Sequence, residues 1–97
     1  MRVLLVEDEA RIAGKVQTVL EAAGYAVDCV GEGEEAWFRG DTEDYDLAIL
    51  DLGLPRMDGL TVLKKWRAGG RGFPVLVPAA RGAWAGRVEG IGAGAED

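Results

Sequence analysis

The sequence contains no histidine and no serine, and its single cysteine is Cys29. Without histidine or serine, an imidazole general base and a serine nucleophile are excluded. Without histidine, one thiol cannot build a zinc site, and one cysteine cannot close an intrachain disulfide. Cys29 is therefore expected to be a small core residue. No apolar run approaches the length of a membrane span, and the acidic group Glu7, Asp8, Glu9 follows the first apolar residues too soon for a signal peptide. A cytoplasmic location is the expectation. Carboxylates are what remain for chemistry.

Those carboxylates are unevenly spread. Residues 1–58 carry 14 acidic and 5 basic side chains, whereas residues 59–97 carry 3 and 6. The acidic half argues against direct nucleic-acid binding, which relies on Lys and Arg to neutralise phosphates. The 97 residues suffice for one domain, 1–97, with a single core.

Arg2 to Val6 is a short Val- and Leu-rich run of the kind that forms a buried parallel strand, and it stops at Glu7. From Glu9 the period becomes helical: Ile12, Val16, Val19, Leu20 and Ala23 share a face, and Gly24 ends it. A second strand over Tyr25 to Val30 precedes a short helix, Glu32 to Arg39, whose Ala36, Trp37 and Phe38 are expected in the core and which Gly40 closes. The third strand, Leu47 to Leu50, ends in Asp51 and runs into turn chemistry at Gly53, Pro55 and Gly59. Asp58 then caps a helix burying Leu60, Val62, Leu63 and Trp66, and Gly69, Gly70 and Gly72 end it. A fourth strand, Phe73 to Val77, precedes a glycine-weakened helical stripe of Trp84, Val88, Ile91 and Ala95. This βαβαβαβα order predicts a doubly wound parallel sheet with helices on both faces.

If the first and third strands are neighbours, Glu7, Asp8 and Asp51 converge on one sheet edge. Three carboxylates in one pocket repel one another, and a hard divalent cation relieves them. Mg²⁺ suits because it accepts one or two carboxylates plus a phosphate oxygen. A carboxylate nucleophile beside it suggests an aspartyl phosphate.

The runs LLVEDE at 4–9, LAILDLGLPRMDG at 47–59 and the ending RVEGIGAGAED together resemble a bacterial two-component response-regulator receiver domain, closest to receivers of winged-helix DNA-binding regulators. The resemblance implies a flavodoxin-like fold with strand order 2-1-3-4. It implies Asp51 as phosphoacceptor, Asp8 as direct Mg²⁺ ligand, Glu7 acting mostly through water, and the Gly53 backbone carbonyl completing the metal site. The donor would be a sensor histidine kinase, and the chain a signalling phosphoacceptor and not an enzyme.

The sequence departs from that family where phosphorylation is read. Ala79 stands in place of the family's Thr or Ser, Pro78 precedes it, and the chain ends before the Lys-bearing fifth strand and final helix. Output signalling is therefore expected to be impaired. The shortened sheet is expected to bare side chains such as Leu4 or Leu5 and Ala48 or Ile49, which a second copy would cover as a homodimer or domain-swapped oligomer. Pro78 fits an edge strand. Two alternatives stand beside this reading: a kinase-docking or dimerisation module without phosphoryl chemistry, and a haloacid-dehalogenase-type phosphotransferase. Gly53 argues against the latter, because that class carries Asp-x-Asp at its nucleophile.

Overall fold

The computed structural model describes residues 1–78. Four parallel strands, β1 (Arg2–Val6), β2 (Ala26–Val30), β3 (Leu47–Leu50) and β4 (Val75–Leu76), form one sheet in the order β2-β1-β3-β4. Between them run α1 (Ala10–Ala22), α2 (Gly33–Thr42) and α3 (Gly59–Ala68). This is the expected doubly wound arrangement. The expected last helix and Ala79 lie outside the described residues. Among those residues no helix is long and apolar enough to cross a membrane.

β1 and β3 are central, so their side chains alternate between two covered faces and the strands read as unbroken apolar runs. Val3, Leu5 and Ile49 pack with Ala13 on the α1 face. Leu4, Val6, Ala48 and Leu50 join Ala36, Val62, Leu63 and Trp66 on the α2 and α3 face. The expectation of bared strand side chains is thereby corrected: Leu4, Leu5 and Ala48 are 0% exposed and Ile49 is 6%. The bared face thus no longer argues for a covering second copy, which leaves the fourth-strand edge as the ground for a homodimer or domain-swapped oligomer.

Several helix expectations also shift. On α1 Ala13 is buried and Val16 and Leu20 are partly buried against it, while Ala23 is exposed and Val19 is 68% exposed because each helical residue turns by about 100° and carries it off that line. Phe38 and Leu60 are exposed instead of buried, each one step off the face that α2 and α3 turn to the sheet. Gly40 does not close α2, which runs on to Thr42. It is a contact point instead, since a Cβ there would lie 2.3 Å from Trp66 Nε1. The buried Trp66 indole N–H donates to the Trp37 carbonyl at 3.2 Å.

Cys29 is exposed, contrary to the core expectation, and its thiol donates to Gln17 Oε1 at 3.2 Å. The physical reason is its place on β2, an edge strand that α1 covers only along its inner flank. α3 begins as expected, with the Asp58 carboxylate accepting from the Thr61 amide at 2.9 Å. Among the described residues β4 is in register with β3 at Val75 and Leu76, and Pro78 follows that ladder.

Candidate metal and phosphoacceptor site

Parallel pairing carries the ends of β1 and β3 to the same height. Just past them, the Glu7 amide donates to the Val30 carbonyl and the Asp51 amide to the Val6 carbonyl, each at 3.0 Å. Both carboxylates are thus fixed to backbone that the sheet itself holds. Glu7 is 3% exposed and Asp51 4%, while Asp8, one residue on, is exposed. One carboxylate oxygen from each of Glu7, Asp8 and Asp51 lies within 4.8 Å of the others. The convergence expected from the sequence is present.

Local hydrogen bonds orient the two buried groups. Glu7 Oε2 accepts from the Glu9 amide at 2.9 Å, and Asp51 Oδ1 from the Gly53 amide at 3.2 Å. Carboxylates gathered this closely repel one another, and a bound divalent cation would relieve that repulsion. The all-oxygen donor set fits a hard divalent cation such as Mg²⁺ and offers a soft metal no sulfur. A cleft of about 330 Å³ between α1 and β2 has Glu7 and Asp8 in its lining.

Asp51 opens an irregular span, residues 51–58, that leads into α3. Leu54 anchors it in the core at 8% exposure, and the Gly59 amide ties back to the Leu52 carbonyl at 3.1 Å. Sequence reasoning placed Gly53 in this span but missed what holds its middle. The Gly33 amide donates to the Pro55 carbonyl at 3.3 Å, and Glu32 pairs with Arg56 at 3.2 Å. The only available signal was a glycine opening a helix, where a better helix former would otherwise be favoured.

Known proteins share both the sequence and this arrangement. The response regulator receiver domain family matches residues 3–97. The two-component response regulator PhoP of Pseudomonas aeruginosa is 45% identical over all 97 residues, which cover 43% of that protein. The transcriptional regulatory protein TctD of Salmonella typhimurium is 44% identical over the whole chain and 43% of its own length. The chain thus spans less than half the length of these curated relatives.

Among solved structures, the Francisella response regulator 1452 receiver domain superposes with a TM-score of 0.82 at 30% identity, covering 99% of this chain and 79% of that one. The receiver domain of a Pseudomonas aeruginosa sensor histidine kinase, with a magnesium ion coordinated in its active-site cleft, gives 0.78 at 30% identity over 82% of this chain and 67% of that one. The family match over nearly the whole length, the strand order and the acidic cluster at the ends of β1 and β3 agree: the chain belongs to the response regulator receiver domain family.

Proposed function

We propose that the chain is the phosphoacceptor unit of a cytoplasmic two-component phosphorelay, in which Asp51 takes a phosphoryl group from a sensor histidine kinase. The observation that carries this reading is the meeting of Glu7, Asp8 and Asp51 oxygens within 4.8 Å at one sheet edge. Glu7, Asp8, Asp51 and the Gly53 backbone carbonyl would hold Mg²⁺, a reading supported by the magnesium in a relative's cleft. Bound there, Mg²⁺ offsets the carboxylate charge and that of the incoming phosphoryl oxygens.

The chain's own residues do the rest. A carboxylate oxygen of Asp51 forms a bond to phosphorus as the bond from phosphorus to the kinase's histidine nitrogen breaks. The nitrogen keeps the electron pair, and Asp51 becomes an acyl phosphate. The Gly53 amide, bonded to Oδ1, holds the plane of the carboxylate while this happens. Ala79 supplies no hydroxyl, so phosphorylation is coupled only weakly to output.

Incubation with acetyl phosphate and Mg²⁺, followed by mass spectrometry, tests the reading. The expected product is an acid-stable, base-labile adduct that Asp51→Asn abolishes. An adduct persisting in Asp51→Asn would move the chemistry elsewhere, and no adduct in the wild type would favour a pure docking module.

A further inference from the structure

We infer that the start of α2 is a clamp that positions the phosphoacceptor span, with Gly33 as its central positioning residue. The inference deepens the phosphoacceptor reading and rests on it for its functional consequence. Residues 51–58 have no regular structure, so their conformation depends on specific contacts. The ends are held by the Gly53 amide on Asp51 and the Gly59 amide on Leu52. The middle is held from outside, by α2.

That hold is backbone against backbone. The Gly33 amide reaches the Pro55 carbonyl, and a Cβ at position 33 would lie 1.7 Å from the Met57 carbonyl oxygen and 2.6 Å from its carbon. No side-chain rotation relieves such a contact, so any larger residue displaces the span by more than 1 Å. Between these two contacted residues, Arg56 has φ +70, a left-handed conformation that costs a side-chain-bearing residue energy. Its ion pair with Glu32, the residue before Gly33, falls where that strained conformation needs support. Residues 32 and 33 therefore grip 55, 56 and 57. Metal and phosphoryl sites require their donors held to about 0.5 Å, and this span carries two of the proposed four.

The test uses the 97-residue chain with Gly33→Ala, and Gly14→Ala as control because position 14 faces open space. In the metal-free protein, amide exchange at Gly53 and Gly59 should speed up about ten-fold while the β1 amides keep wild-type rates. Calorimetry should show Mg²⁺ affinity weakened by about ten-fold, the scale on which supporting residues act at metal sites. Arg56→Gly guards against a Gly33→Ala that fails to fold. Glycine accepts φ +70 without cost, and the loosened span should weaken Mg²⁺ binding about three-fold with unchanged β1 exchange. Wild-type exchange and Mg²⁺ affinity in the folded variants would overturn the clamp. So would faster exchange spread equally over β1, which marks general destabilisation. If the wild type bound no Mg²⁺, the phosphoacceptor reading would fall, and the metal-free exchange would still decide whether the span is clamped.

Discussion

At the start of β1, Arg2 lies among Asp28, Glu43 and Tyr45, whereas just past its end Glu7 and Asp8 meet Asp51. Both places gather acids, and they do so differently. At the first, cations are interleaved: Arg2 bonds both Asp28 and Glu43 and stacks on the Tyr45 ring at 4.7 Å, and Arg39 approaches Asp28, Glu35 and Glu43 at 3.9 to 4.0 Å. The Arg2 guanidinium is held above its ordinary pKa, chiefly by Glu43 and then by Asp28. At the second, Glu7 and Asp51 are buried, Asp8 is exposed, and the three bring one carboxylate oxygen each within 4.8 Å of the others. The first pattern ties β1, β2, α2 and the lead into β3 together. The second gathers oxygen donors of the kind that the proposed Mg²⁺ and phosphoryl group would require.

The sharpest way to break this contrast is Asp8→Ala. Mg²⁺ affinity should fall by about an order of magnitude or more, because a direct anionic ligand is lost. The metal-free protein should melt close to wild type, since Asp8 is an exposed side chain. Calorimetry and thermal melts read the two effects separately. A lower metal-free melting temperature would mean that the cluster is a structural network like the one around Arg2. The converse change, Arg2→Ala, should lower Tm on the order of 5 °C, less so at high salt, and leave Mg²⁺ affinity within about two-fold. A large loss of Mg²⁺ binding there would dissolve the distinction between the two ends.

Much of the acidic end was legible in the sequence, because a carboxylate directly after a buried strand marks a strand tip, and β1 and β3 are unambiguous apolar runs. Parallel pairing then fixes the convergence without further information. The opposite end was not legible. Asp28 sits mid-strand on an edge, Glu43 in a loop, and nothing in their spacing from Arg2 shows that they meet. Phe38 and Leu60 illustrate a related limit: hydrophobicity names candidates for burial, but a single turn of helix decides which are covered. Gly40 reads as the end of a helix and Gly33 as an ordinary member of its first turn, yet both mark close packing, and only the position of Met57 or Trp66 reveals it.

The smallest effect is the one that isolates a single hydroxyl. Tyr45 donates to Asp28 Oδ2 at 2.8 Å, and Tyr45→Phe removes that bond while leaving the ring on which Arg2 stacks. Burial, reinforced by the Asp28 bond, pushes the Tyr45 phenol up to about 12, while the Tyr45 hydroxyl, assisted by Arg2, holds Asp28 below the ordinary carboxylate value. The folded chain thus keeps the tyrosine proton more tightly than the unfolded chain, so this contribution is complete below pH 10 and is lost as pH rises to about 12. Asp28 has the opposite sign: its contribution is complete above 3.8 and is lost as pH falls through its lowered folded value. Urea unfolding across pH should therefore show wild-type stability falling more steeply than that of Tyr45→Phe in both windows, with little difference in slope between them. Parallel curves from acid to alkali would show that the hydroxyl adds nothing to the interleaved network, and that Arg2 and Arg39 neutralise that end without it.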